Sequence, residues 1–207
     1  RDEFSFAHGF DESGRPLSLH LIQGNPRHRE VPSYHWASFN DAGTAAGAIA
    51  RFMGTDAPMR VVIGWWSHGG KLDTNPYNPM GGDASPSFEK QFSHIAKYLA
   101  GLKCPESDAA SRLKERALYY YTVGEEVWKE TDVWPPASVK KQRWYMSDNE
   151  SLALVKPQDR IGKDQYQVDF EVGTGSYTRW DQMVPEVHYG NRAQADIRLL
   201  TYTSEPL

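Results

Sequence analysis

The chain has 207 residues, of which 39% are hydrophobic and 24% are charged, and its formal net charge is -4 at pH 7. This length and composition are those of an ordinary soluble globular protein, so they exclude a largely disordered chain. The small negative charge gives no broad attraction to nucleic acid or to anionic lipid, and we expect neither nucleic acid nor membrane as a partner. The single cysteine, Cys104, excludes an internal disulfide and a cysteine-based zinc site. No apolar run approaches the length of a membrane span, and we expect a soluble chain, in the cytoplasm rather than secreted.

A strand-helix-strand unit is predicted in the first half of the chain. Residues 31–39 are rich in aromatic and small side chains and predict a strand. Asp41 is a candidate N-cap for the helix that follows, and Gly54 closes it. The apolar residues of this helix recur at helical spacing: Ala45, Ala46, Ile49, Phe52 and Met53. Residues 60–66 predict a strand buried on both faces, as in parallel sheets. The two strands should therefore end at one edge of a sheet, where open α/β sheets bind ligands.

A second helix and a β-rich region are predicted next. A glycine- and proline-rich loop over residues 69–86 leads into a helical pattern that we expect to end at Gly101. The apolar stripe of this helix comprises Phe88, Phe92, Ile95, Ala96 and Leu99. From Ala117, short aromatic strands alternate with turn residues. We expect these later strands to be antiparallel and to form a sheet separate from that of residues 31–66.

Asp41 and His68 each follow one of the two predicted strands. Hydrolysis by a serine needs an imidazole that takes the hydroxyl proton, and a buried carboxylate that orients the imidazole and stabilises its cation. An aspartate and a histidine in this chain order suit that pairing, so we expect the His68 ring within about 3–4 Å of an Asp41 carboxylate oxygen. Two structural alternatives stay open, since Asp41 can be a plain helix N-cap and His68 a loop histidine bonded to nearby backbone. Ser67 fits a strand-end hydroxyl better than a nucleophile, because adjacent strand residues point to opposite faces.

Other polar clusters are poor candidates for a metal site. Four histidines lack the close spacing of zinc ligands: His8, His20, His28 and His35. His94 falls on the second helix, where a partly buried structural role is expected. Residues 73–83 are rich in oxygen ligands but lack the alternating pattern of a calcium loop. We therefore expect no metal and no cofactor.

The segments around His68 and Asp41 resemble those of a known enzyme family. Residues 63–69 read IGWWSHG and resemble the segment that carries the catalytic histidine in the cocaine esterase and X-Pro dipeptidyl-peptidase family of α/β-hydrolases. His68 falls on that histidine. Residues 31–41 read VPSYHWASFND and resemble the family's strand that ends in the triad aspartate, with Asp41 on it. Later segments resemble landmarks of the family's C-terminal jelly-roll domain: residues 121–124 with Trp128, residues 134–136 and residues 200–207.

The resemblance begins at about Val31 and implies an α/β fold followed by β structure. It implies a partial α/β-hydrolase sheet with a βαβ unit, and a partial β-sandwich or jelly-roll domain. Residues 1–103 would belong to the C-terminal part of the catalytic domain, residues 104–116 to a connection, and residues 117–207 to a truncated jelly roll. One departure is Trp65, which stands where relatives commonly have proline. A larger one is that no G-x-S-x-G elbow occurs, which implies that the nucleophilic serine lies in a missing N-terminal part.

Two functions of different classes follow. The first is a serine hydrolase that cleaves ester or amide bonds, in acyl substrates or X-Pro peptides, with His68 as general base and Asp41 as its orienting carboxylate. Its partners are a small ester, amide or short peptide substrate, and either the remaining part of the hydrolase or another copy of this chain. The chain by itself is then expected to be inactive. The second function is a non-catalytic β-sandwich module for carbohydrate or a protein partner. Its candidate platform is a set of tryptophans, for which packing is the favoured role: Trp128, Trp134, Trp144 and Trp180.

Overall fold

The computed structural model describes residues 31–41, 43–78, 82–104, 115–158, 162–173 and 191–206. The chain divides into two units, with a boundary between Ala137 and Ser138. Four residues that the sequence singled out lie outside the described residues: His8, His20, His28 and Trp180.

The first unit is built on a four-stranded sheet in the order β1-β2-β3-β4. Strands β1 (Ser33–Ser38) and β2 (Met59–Gly64) run parallel. Strand β3 (Arg116–Thr122) runs parallel to β2 on its other side. Strand β4 (Val127–Thr131) is antiparallel to β3. The central strands are therefore parallel, as the sequence predicts for β1 and β2.

Helix α1 (Thr44–Gly54) connects β1 to β2 and completes the predicted βαβ unit. Its apolar residues recur at helical spacing, so they form one face. On that face Ala45, Ala48 and Phe52 are buried against the sheet core. Complete burial of a side chain such as Phe52 stabilises the fold by roughly 1.5–3 kcal/mol.

Strand β2 is buried on both faces, as predicted. Alternate residues of a strand point to opposite sides of the sheet. Accordingly, Val61 and Ile63 belong to the core cluster that contains Phe52, whereas Val62 belongs to a second cluster with Trp66. The strand that leads to His68 is thus fixed by packing on both sides.

Helix α2 (Phe88–Lys103) is capped by Ser87, whose hydroxyl accepts a hydrogen bond from the Lys90 backbone N–H. The helix continues two residues past Gly101, so the predicted end at Gly101 is wrong. This glycine is buried inside the last turn and does not adopt the left-handed conformation of a C-terminal cap. The buried face of α2 carries Gln91 and Gly101. Three large residues of its predicted apolar stripe stay exposed, Phe88, Phe92 and Leu99, and Leu102 is exposed as well.

The expected separation of the sheets at residues 104–116 is wrong, because β3 and β4 extend the same sheet as β1 and β2. A strand pattern predicts a strand but does not specify its partner. Here Leu118 is fully buried in the core beside α1. The Arg116 guanidinium lies over the Phe52 ring and donates to the backbone carbonyls of Phe52 and Thr55, which ties the start of β3 to the end of α1. A cation at a helix C-terminus is electrostatically favoured.

The second unit contains three short strands and one short helix among its described residues. Strand β5 (Tyr145–Ser147) is antiparallel to β6 (Ser151–Ala153), and β6 is parallel to β7 (Thr203–Ser204). The short helix α3 spans Ala193–Asp196. The prediction that all later strands are antiparallel is therefore wrong at the β6–β7 pair, since these strands come from distant parts of the chain and do not form a hairpin. A jelly roll in this unit stays a prediction.

Candidate active site

Strands β1 and β2 end together at one edge of the sheet. Ser38, the last residue of β1, lies opposite Gly64, the last residue of β2. The Phe39 backbone N–H donates to the Gly64 carbonyl at 3.1 Å, so the two segments stay paired one residue further. Asp41 comes three residues after Ser38, and His68 comes four residues after Gly64. The parallel register therefore brings these two side chains to the same edge.

The His68 ring and the Asp41 carboxylate are in direct contact, with 2.9 Å between Nδ1 and Oδ1. The Asp41 side chain is only 8% exposed, whereas that of His68 is 45% exposed. A buried carboxylate needs a hydrogen-bond donor, and an ionised one can only accept. In that state Nδ1 carries the proton, and the ring lone pair is on Nε2. The contact expected from the sequence is present, and it joins the buried Asp41 carboxylate to the half-exposed His68 ring.

Helix α1 does not use the Asp41 carboxylate as its cap. Its N-cap is Gly43, in the left-handed region at φ 76°, and no side chain caps this end. Asp41 contributes its backbone carbonyl instead, which accepts from the Thr44 backbone N–H at 3.0 Å and from the Thr44 hydroxyl at 3.1 Å. The N-cap alternative for Asp41 is therefore wrong, and its carboxylate is directed to His68.

Ser38 joins the two strand ends through its buried hydroxyl. The hydroxyl donates to the Trp66 carbonyl at 2.6 Å and accepts from the backbone N–H groups of Trp66 at 3.0 Å and Asn40 at 3.1 Å. Only 1% of Ser38 is exposed. The segment that leads to Asp41 is thus fixed to the segment that leads to His68. Nothing in the sequence distinguishes Ser38 from the other serines before Asp41, so this role was missed.

His68 lies near the tip of a tight loop whose two sides are paired. Trp66 and Asp73 form an antiparallel bridge at its base. Next to them, the Thr74 backbone N–H donates to the Trp65 carbonyl at 3.2 Å, and the Trp65 indole donates back to the Thr74 carbonyl at 2.6 Å. Trp65, at the position where the resembled family commonly has proline, therefore closes this loop with its side chain.

A four-residue turn presents His68 within this loop. The Gly70 backbone N–H donates to the Ser67 carbonyl at 2.8 Å, which places His68 at the second position of the turn. The Ser67 backbone N–H donates to the Leu72 carbonyl at 3.0 Å, so the loop is closed directly below the turn. Gly70 has φ +72°, a conformation that side chains with a Cβ rarely adopt. The loop thereby fixes the backbone on both sides of the histidine.

Glu126, in the turn between β3 and β4, binds the segment that directly follows the base of this loop. Its carboxylate accepts from the Asn75 side-chain amide at 2.6 Å, from the Tyr121 hydroxyl at 2.5 Å and from the Gly124 backbone N–H at 2.8 Å. The Tyr121 hydroxyl is the main cause that holds the pKa of Glu126 below its ordinary value, followed by the Gly124 N–H. Burial, followed by the hydrogen bond to Glu126 and the charges of Glu126 and Asp73, raises the pKa of Tyr121 to about 12.

The tryptophans of the first unit pack within the structure. The Trp128 ring lies 6.2 Å from that of Trp66 and 5.4 Å from that of Tyr121, measured between centroids. The Trp134 ring meets that of Tyr120 edge to face at 5.5 Å. Trp134 packs against the core cluster, and Trp128, although 37% exposed, packs against Trp66, so neither residue favours a carbohydrate platform.

The described ranges contain no group of three or more His, Cys, Asp and Glu side chains placed to hold a metal ion. His35 is partly buried on β1. His94 is exposed on α2, so the partly buried position expected for it is wrong, although its ring meets that of Trp36 edge to face at 6.1 Å. In the same part of the chain, no helix is both long enough and apolar enough to cross a membrane.

The chain is similar to two curated mycobacterial proteins. The chain is 32% identical over 205 residues to a Mycobacterium bovis protein named "Putative serine esterase", and equally so to a Mycobacterium tuberculosis protein with the same description. Each match covers 95% of this chain but 31% of the relative. The chain thus spans about a third of the length of the curated relatives it matches. No protein-family model matches the chain, and no solved structure matches it. Both curated relatives carry the name of a serine esterase.

Proposed function

We propose that the chain is the C-terminal part of a serine hydrolase of the α/β-hydrolase type, which cleaves ester or amide bonds through a Ser-Asp-His triad. The single observation that carries this proposal is the 2.9 Å contact between His68 Nδ1 and the buried Asp41 carboxylate, at the ends of two adjacent parallel strands. The esterase names of the mycobacterial relatives support it. So does the resemblance to the cocaine esterase and X-Pro dipeptidyl-peptidase family, in which the substrates are acyl esters or X-Pro peptides and the second unit would be part of a jelly roll.

In this proposal His68 is the general base and then the general acid. Nε2 takes the proton of the serine hydroxyl while the serine oxygen bonds to the acyl carbon. Asp41 stabilises the imidazolium that results, and Nε2 then gives the proton to the departing alcohol or amine. A water molecule repeats the same transfers on the acyl-enzyme and releases the acid. Burial of Asp41 strengthens its interaction with the imidazolium, because a low local dielectric screens the charges less.

We propose that the nucleophile comes from outside these 207 residues. Ser67, the serine nearest to His68 in sequence, is 1% exposed, and its hydroxyl lies 3.4 Å from the Leu72 backbone N–H. Ser38 is equally buried and is bonded to backbone. Neither serine stands in the glycine setting of a nucleophile elbow. The rest of the longer hydrolase, or a second copy of this chain, would also cover strand β1, which is the outermost strand of the sheet among the described residues, and the exposed apolar residues of α2.

The test uses the longer protein that contains this chain. Its kcat/KM is measured on p-nitrophenyl acetate, p-nitrophenyl butyrate and an X-Pro p-nitroanilide, for the unchanged protein and for the Asp41→Asn and His68→Ala variants. We expect each variant to lose about 10⁴-fold or more in kcat on whichever substrate is hydrolysed. His94→Ala is the matched control, since His94 is exposed on α2, and it should retain activity. Hydrolysis that persists in both triad variants would exclude the proposed mechanism.

A further inference from the structure

We propose that Gln91 is a positioning residue for His68, acting through the turn that carries it. The Gln91 side-chain amide nitrogen donates to the Gly70 carbonyl at 2.7 Å and to the Pro86 carbonyl at 2.9 Å. Gly70 is the last residue of the turn that presents His68. Gln91 therefore links helix α2 to this turn.

The contacts of Gln91 fix the orientation of its side chain. The residue is 7% exposed, so an unpaired amide at this place would be costly. The amide nitrogen has two hydrogens, and two carbonyl oxygens, those of Gly70 and Pro86, receive them. Because both partners are acceptors, only the nitrogen can face them, and the side chain has one favourable orientation.

Gly70 is adapted to this close approach. A Cβ placed on Gly70 would lie 3.0 Å from Gln91 Oε1, which is tighter than ordinary van der Waals contact. Gly70 also has a positive φ, which disfavours residues with a Cβ. The backbone of the turn can thus lie directly against the Gln91 amide. Two residues before Gly70, the His68 ring meets Asp41, so a shift of the turn changes the distance between Nδ1 and the carboxylate.

Helix α2 has its own cap, which separates the role of Gln91 from simple helix formation. Ser87 caps the helix through the Lys90 N–H, and the Gln91 backbone N–H bonds to the Ser87 carbonyl at 2.9 Å. These bonds do not involve the Gln91 side chain. Changing that side chain should therefore leave α2 helical and release the turn.

The experiment compares Gln91→Met and Gln91→Glu with Val61→Ala in the 207-residue chain. Methionine keeps the length of the side chain without any donor, and glutamate keeps its shape but cannot donate when ionised. Val61→Ala is the matched control, because Val61 is fully buried in the core cluster and its loss lowers stability without touching the turn. The two readouts are hydrogen exchange of the Gly70 amide and the NMR signal of the proton between His68 Nδ1 and Asp41.

We expect both Gln91 variants to speed exchange of the Gly70 amide by about tenfold and to weaken the His68 Nδ1 proton signal. Val61→Ala should change neither readout beyond its effect on global stability, which is measured in parallel by urea unfolding. Unchanged readouts in the Gln91 variants, or equal changes in Val61→Ala, would overturn the proposal. If Gln91→Met fails to fold, the same two readouts in Gln91→Glu test the proposal.

The catalytic meaning of Gln91 rests on the proposed function. In the longer protein, Gln91→Met should lower kcat with little change in KM, since the base is misplaced but substrate contacts are retained. The triad and the positioning role of Gln91 can be rejected independently of each other. Altered NMR readouts without any effect of Asp41→Asn on turnover would reject the triad alone, whereas a loss of turnover in Asp41→Asn with unaltered readouts in the Gln91 variants would reject the positioning role alone.

Discussion

The Ser38 hydroxyl donates to the Trp66 carbonyl at 2.6 Å and accepts from the Trp66 backbone N–H at 3.0 Å. One side chain thus satisfies both polar groups of a residue that lies 28 positions later in the chain. Trp66 lies two residues before His68, and Ser38 lies three residues before Asp41. The distance between the acid and the base therefore depends on this bond as well as on the pairing of β1 with β2.

Ser38→Ala should lower the free energy of unfolding by about 1–3 kcal/mol, because it leaves buried backbone groups without their partner. It should also weaken the NMR signal of the proton between His68 Nδ1 and Asp41. Urea unfolding gives the first quantity, and Ser93→Ala is the control, since Ser93 is exposed on α2. Equal stability of the two variants would contradict the role assigned to Ser38.

The βαβ unit and the approach of Asp41 to His68 could be predicted because both depend on local pattern. Buried parallel strands are near-continuous apolar runs, and residues that follow adjacent parallel strands share an edge. The partner of β3 could not be predicted, since an aromatic strand fits either sheet and only the packing of Leu118 and the bonds of Arg116 decide between them. The roles of Ser38 and Gln91 could not be predicted either, because each consists of bonds to backbone far away in sequence.

Tyr121 should ionise at a lower pH in Glu126→Gln than in the unchanged chain. Its pKa is raised to about 12 by burial first and then by the hydrogen bond and charge of Glu126. Removing that charge should lower the Tyr121 pKa toward its ordinary value of 10.0, but not fully, because burial persists. Tyrosine ring carbon NMR at about pH 11 measures the ionised fraction, with Tyr121→Phe to assign the signal. An unchanged ionised fraction would show that Glu126 does not bond to Tyr121 in solution.

His35 should make the first unit less stable as the pH falls below about 6.5, the ordinary pKa of a histidine. Burial, followed by the charge of Arg51, lowers the pKa of His35, so the folded chain binds this proton more weakly than the unfolded chain. The contribution to stability is therefore complete above the unfolded pKa and is lost as the pH falls through the folded pKa. Urea midpoints at neutral and acidic pH should differ less in His35→Gln than in the unchanged chain. Ser93→Ala, at an exposed position of α2 that carries no titrating group, should show the same difference between the two midpoints as the unchanged chain.

Self-association of the 207-residue chain should depend on α2. Phe92 is 57% exposed and Leu99 is 52% exposed, on one apolar stripe of the helix. A charge placed there should prevent burial of this stripe against a second copy. We expect Phe92→Asp to shift the chain toward monomer in light scattering after size-exclusion chromatography, while Lys97→Asp, another exposed position of α2, leaves the distribution unchanged. A monomeric unchanged chain would contradict self-association through this helix.

The 207-residue chain by itself should not turn over acyl esters by a triad mechanism. In the proposed function His68 and Asp41 activate a serine from outside this chain, and without that serine a base can only assist water. Loss of a triad member costs about 10⁴-fold or more in rate, so p-nitrophenyl acetate and butyrate should be hydrolysed no faster than by His68→Ala. A fluorophosphonate probe should label no specific serine in this chain, whereas it should label the longer protein. Covalent labelling of one serine among the 207 residues, together with turnover that His68→Ala abolishes, would show that the nucleophile lies within this sequence.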